Sequence, residues 1–95
     1  MDPYKAFLLE TQIRSIDETL AKLQLELEEL KEALKWIQEL HPKSAYRIFG
    51  GRVAIEVEPE KLKKVIEDEI KLLEAKIETL KKERERLEAE LKSLR

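Results

Sequence analysis

A single imidazole, His41, and a complete absence of cysteine narrow the chemistry open to this chain. Without thiols there is no disulfide, no thiolate zinc site and no thiol nucleophile, and a reducing compartment is permitted. His41 stands directly before Pro42 with no companion base or ligand, and it reads as a loop residue rather than a metal ligand or general base. Gly50-Gly51 lack the Lys-Ser or Lys-Thr that would complete a phosphate loop, so they read as a turn. Glutamates recur at helical spacing, Glu28 with Glu32 among them. Paired carboxylates do acid–base work only in a pocket that shifts their pKa values, and these belong on exposed faces. No catalytic, cofactor-binding or metal-ligating residue is nominated, and the chain is expected to be no enzyme and to use no cofactor.

The chemistry that remains is apolar contact and ion pairing. Charges balance closely, 19 basic against 21 acidic, for a formal net of −2. Lys81, Lys82, Arg84 and Arg86 alternate with Glu83, Glu85 and Glu88, a solvated helix face rather than a track for a polyanion, so no nucleic-acid partner is expected. The longest apolar run, Ala6 to Leu9, is far short of the roughly 20 residues that cross a bilayer, and no basic leader precedes it. A soluble chain without a membrane partner is expected.

These groups must be positioned by helices. Of the 95 residues, 42% are hydrophobic and 42% charged, and Ala, Glu, Lys, Leu and Arg make up well over half of the chain. That composition points to long helices packed along seams rather than to a layered core. Asp2-Pro3 reads as a helix start, because a short acidic side chain caps free amides and proline suits the first turn. From there Ala6, Leu9, Ile13, Ile16, Leu20, Leu23, Leu27, Leu30, Leu34 and Ile37 fall on heptad positions a and d, predicting a helix over 3–40. Pro59 opens a second helix, predicted over 59–95, with Ile66, Ile70, Leu73, Ile77, Leu80, Leu87, Leu91 and Leu94 in its stripe. Folding the helices back on each other pairs every a with a d when residue numbers sum to 100, as in Leu34 with Ile66 or Leu9 with Leu91. Arg84 is the polar exception, opposite Ile16, where its guanidinium is expected to snorkel to water. It reads either as a device against wrong registers or as a mark of a looser coil near the free end. The arms should be about 50–55 Å long.

Between the helices, Ser44 to Phe49 and Arg52 to Val57 are β-rich and flank the glycine pair, predicting a hairpin over 44–57. A two-residue loop would pair Phe49 with Arg52 and Ile48 with Val53, and would gather Tyr46, Ile48, Val53, Ile55 and Val57 on one apolar face. A lone two-stranded hairpin is marginal in water, and its free edges attract further strands. Hairpins of several chains are therefore expected to pair into a sheet or barrel from which the coiled coils project. The expected fold is mainly α: one domain over 1–95, a long antiparallel two-helix coiled coil with one β-hairpin at the fold-back.

This plan, with Tyr46-Arg47-Ile48-Phe49-Gly50 entering the turn and Val53-Ala54-Ile55-Glu56-Val57 leaving it, resembles a beta-type prefoldin subunit of archaeal kind over nearly the whole chain. Alpha-type subunits carry two hairpins, for which there is no room. The resemblance implies an ATP-independent holdase of the cytoplasm. It implies a hexamer of alpha-type and beta-type subunits with a β-barrel body and coiled-coil tentacles, whose tips bind unfolded proteins and pass them to a group II chaperonin. Arg52 stands where many relatives carry an aliphatic residue, and the arms are somewhat shorter than usual.

Apolar residues outside the seam gather at two places. Near the hairpin are Trp36, Leu40, Leu62, Val65 and Leu72, expected to pack on the body or on a neighbouring subunit. At the free end, Met1, Tyr4, Phe7 and Leu8 adjoin Leu94 and form the expected client-binding tip. Trp36 joins Tyr46, Ile48, Val53, Ile55 and Val57 as the expected oligomerisation surface. The competing reading is a structural protein, a homo-oligomeric or filament-forming prefoldin relative or a coiled-coil scaffold.

Overall fold

In the computed structural model, which describes residues 2–95, two helices flank one hairpin: α1 (Pro3–Leu40), β1 (Ala45–Phe49), β2 (Val53–Val57) and α2 (Pro59–Ser93). The molecule measures 62 × 25 × 15 Å, with a radius of gyration of 19.0 Å. A compact chain of this length would have a radius near 12 Å. The shaft is thus as extended as the seam pattern requires. Among the described residues, no helix is long and apolar enough to cross a membrane.

The helix boundaries follow from local chemistry. Asp2 caps α1, its Oδ1 accepting from the amides of Tyr4 at 3.0 Å and Lys5 at 3.2 Å. At the other end His41 turns into the left-handed region, φ 46°, and its amide donates to the Ile37 carbonyl at 3.2 Å. Pro42 then blocks any continuation. α2 starts on Pro59 after Glu58, without a side-chain cap, and carries Glu60 in its first turn and Lys92 in its last, both suited to the helix dipole. It ends at Ser93 rather than 95, where the amides of Leu94 and Arg95 reach back three residues to Leu91 and Lys92.

The buried clusters gather the residues that the sum of 100 sets opposite each other. Leu9, Leu87 and Leu91 form a buried cluster at the free end, flanked by Ala6, Ile13, Ile16 and Leu94. Leu62, Ile66 and Ile70 form another at the fold-back, packed by Leu27, Leu30, Ala33, Leu34 and Ile37 and by Ala45 and Val57 of the hairpin. Leu62 therefore lies inside the chain's own core and is not an outward-facing contact, because the hairpin folds down over the first turn of α2. Leu72 is also misplaced by the sequence reading. It sits about 20 Å along α2 from Pro59 at the helical rise, away from the hairpin, exposed beside a mid-shaft groove with Leu23, Ala75 and Thr79.

The hairpin has a different register from the expected one. Ala45 pairs with Val57, Tyr46 with Glu56, Arg47 with Ile55, Ile48 with Ala54 and Phe49 with Val53. Gly50 and Gly51 take φ 59° and 70°, and the Arg52 amide donates to the Phe49 carbonyl at 3.1 Å. Arg52 is thus an extra loop residue between that closed turn and the first strand pair, in the manner of a bulge. A slip of one residue turns every side chain of one strand to the opposite face. The expected single apolar face is therefore divided. Tyr46 and Ile48 share one face with Ala54 and Glu56, and Val53, Ile55 and Val57 share the other with Ala45, Arg47 and Phe49. The second face is the one held to the shaft, by Ala45 and Val57 on the Leu62 cluster and by an Arg47–Glu69 ion pair of 2.5 Å.

Candidate functional site at the two ends of the shaft

Tyr4, Phe7 and Leu8 stand at helical spacing on the first turns of α1, so they form one stripe. Leu9 next to them points into the seam and is 5% exposed, whereas Tyr4 is 70% and Phe7 60% exposed. Leu8 is less open but still exposed. Leu94 is drawn the other way: it is half-buried against Leu9, Leu87 and Leu91, so it supports the stripe's helix from behind. Met1 lies outside the described residues. Thr11 continues the stripe, its hydroxyl donating to the Phe7 carbonyl at 2.9 Å.

Ion pairs bind the two arms beside this stripe. Lys5 Nζ lies 3.8 Å from Glu90, and Arg95 Nη2 lies 3.1 Å from Glu10. Further in, Arg84 does not snorkel free. It donates from Nε and Nη2 to the two carboxylate oxygens of Asp17, at 2.5 and 3.2 Å, and its Nη1 lies 2.7 Å from Glu88. The hydrogen bond from Arg84 holds the Asp17 carboxyl below its ordinary value; partial desolvation opposes this and the positive charge adds to it. The same contacts, with Asp17 first and Glu88 second, push the Arg84 guanidinium further up. Sequence reasoning missed Asp17, whose signal was its place one residue after the seam position Ile16 that faces Arg84.

At the opposite end, apolar side chains stay open on both hairpin faces. Tyr46 is 61% and Ile48 66% exposed on one, and Phe49, Val53 and Ile55 are about half exposed on the other. The Arg47 guanidinium lies 5.6 Å from the Phe49 ring centroid, within reach of a cation–π contact. Trp36, Tyr46 and Ile48 rim an open groove of about 740 Å³ whose floor is Leu30, Ala33 and Ile66. Leu40 and Val65 are exposed, while Val57 is half-buried where the hairpin packs on the shaft. Of the expected oligomerisation residues, then, Trp36, Tyr46 and Ile48 come together, Val53 and Ile55 occupy the reverse face, and Val57 is taken up by the chain's own core.

Both ends thus expose apolar side chains on a charged shaft. Among the described residues, no group of three His, Cys, Asp or Glu is placed to hold a metal ion. Neither the curated proteins nor the solved structures compared with the chain include a match. The family model described as prefoldin subunit matches residues 6–95, nearly all of α1 together with the whole hairpin and α2. The chain belongs to the prefoldin subunit family.

Proposed function

We propose that this chain is a beta-type subunit of an ATP-independent holdase, which captures unfolded proteins at the distal end of its shaft and hands them to a group II chaperonin in the cytoplasm. The observation that carries the reading is the exposed stripe of Tyr4, Phe7 and Leu8 at the free end of a shaft whose other end carries the hairpin. Capture of this kind breaks no bond and needs no cofactor. One small patch binds weakly, but several shafts on one body multiply the strength, since each bound arm raises the effective concentration of the others.

The other end supports assembly. A two-stranded hairpin with apolar groups open on both faces and unpaired outer edges is marginal alone and is stabilised by further strands. Partner hairpins, from copies of this chain and from an alpha-type subunit, would cover it in a hexameric barrel body. Because apolar groups lie on both faces, both faces are to be covered.

The test is suppression of aggregation of a chemically denatured client. Tyr4→Ser with Phe7→Ser should weaken suppression while leaving the assembled mass, read by light scattering, unchanged. Full suppression by the variant would reject the tip. Mixing the chain with an alpha-type subunit should give a larger defined complex; no change in mass would favour a homo-oligomeric scaffold.

A further inference from the structure

We propose that the distal part of the shaft is a salt-gated segment, opening as a unit at Arg84 and adding seam side chains to the stripe of Tyr4, Phe7 and Leu8. Its bearing on client capture rests on the tip reading above; the opening itself does not.

Two independent features of the structure meet at this place. The first is the break in the seam. Arg84 occupies a position where the rest of α2 presents Ile or Leu, and the distal cluster of Leu9, Leu87 and Leu91, with Ile13 and Ile16 packed on it, ends there; Leu20, Leu73 and Ile77 are buried on the other side of that position. The fold-back end is closed by the hairpin, with Ala45 and Val57 packed on it, whereas the distal end has no connection between the arms. Separation of the helices therefore starts at the free end, and the polar position is where it stops.

The second feature is the placement of charge. Among the described residues, the ion pairs between the arms are Lys5–Glu90, Arg95–Glu10 and Arg84–Asp17, and all of them flank the distal cluster. From Leu20 to Leu40 the facing arm is held by apolar contact alone. Exposed ion pairs weaken as the Debye length falls from about 10 Å at 0.1 M salt to about 3 Å at 1 M, and apolar burial does not weaken with it. Among the contacts between the arms, added salt thus loosens the distal ones and spares the rest; the Arg47–Glu69 pair ties the hairpin, and not α1, to α2. On opening, Leu9, Leu87 and Leu91 become accessible next to a stripe that is already exposed.

The experiment is amide hydrogen exchange on the assembled full-length protein in NaCl at about 0.1 M and about 1 M; sulfate is avoided because it strengthens apolar burial. Residues 6–17 and 84–94 should exchange roughly threefold or more faster at high salt, and residues 27–37 and 70–77 should not change. Arg84→Leu, which restores the seam, should protect the distal segment and blunt its salt response. Lys5→Gln with Arg95→Gln should open it already at low salt. Equal changes in both segments, no change in either, or an undiminished response in Arg84→Leu would overturn the gate. Client suppression separates gate from tip: at high salt Arg84→Leu should suppress aggregation less well than the native chain. Equal suppression, with opening observed, overturns the link between gate and capture, while the Tyr4→Ser, Phe7→Ser comparison at low salt tests the tip itself.

Discussion

Arg84 and Asp17 make the shortest polar contact between the two helices, Nε to Oδ1 at 2.5 Å, although Arg84 stands in the seam and Asp17 just outside it. The contact turns an arginine that disrupts apolar packing into a fixed point of register, since only one alignment of the arms brings both carboxylate oxygens within reach of the guanidinium. Glu88, one turn along α2, takes the remaining donor.

The contact has an acid limb. A carboxyl with a folded pKa below its unfolded one contributes stability that is present above the unfolded value and is lost as pH falls through the folded one. Asp17, lowered from an ordinary 3.8 chiefly by the Arg84 hydrogen bond, belongs to this class, as does Glu83, lowered from 4.5 chiefly by Arg86. Asp17→Asn should therefore lower the thermal midpoint slightly at about pH 7, and the deficit should shrink as pH falls below 3.8. Thermal melts across that range check it; an equal deficit at both ends would show that the ion pair is not the cause.

The hairpin register is open to a direct chemical test, because the chain has no cysteine of its own. Ile48→Cys with Ala54→Cys places two thiols on directly paired residues, and oxidation should cross-link them. Ile48→Cys with Val53→Cys, the pair of the shorter loop, places them on opposite faces and should stay reduced. Mass spectrometry after mild oxidation reads the result, and cross-linking of the second pair alone would restore the single apolar face.

Burial separates residues that look equivalent in composition. Ile66, 5% exposed within the fold-back cluster, should cost about 2–4 kcal/mol on change to Ala, through lost burial and the cavity left behind. Leu25, exposed on the shaft, should cost no more than about 0.5 kcal/mol on change to Ser. Urea midpoints of the assembled protein at fixed concentration make the comparison, and equal losses would contradict the packing described above.

His41 holds a left-handed conformation at the end of α1, where an L side chain is strained by roughly 1–2 kcal/mol and glycine is not. His41→Gly should raise the thermal midpoint or leave it unchanged, since the freer unfolded chain offsets part of the gain. His41→Val, branched at Cβ, should lower it by several degrees. A lower midpoint for the glycine variant would mean that the imidazole itself contributes to the fold-back.

The elements of this fold were legible because their causes are local. Asp2-Pro3, His41-Pro42 and Pro59 mark helix ends through capping and backbone geometry, and a repeat of apolar residues at spacings of three and four has only one way to form a seam. The exposed stripe of Tyr4, Phe7 and Leu8 was readable for the same reason, as residues left off that seam. Leu94, which belongs to the seam as well, was claimed for both roles and is held in the seam.

Tertiary structure decided what local rules leave degenerate. Two glycines in a row accept a loop of two residues or of three, and the strands' own preferences do not distinguish them. The choice falls to Ala45 and Val57 packing on Leu62 and to Arg47 reaching Glu69, and with it which apolar side chains share a face. Leu62 was likewise assigned outward by its heptad position and buried by a hairpin that the heptad does not describe. Local spacing placed the helices and strands, since the interactions responsible span a few residues. Which faces meet, and that Arg84 finds Asp17, depended on contacts between segments 67 residues apart, which no local spacing encodes.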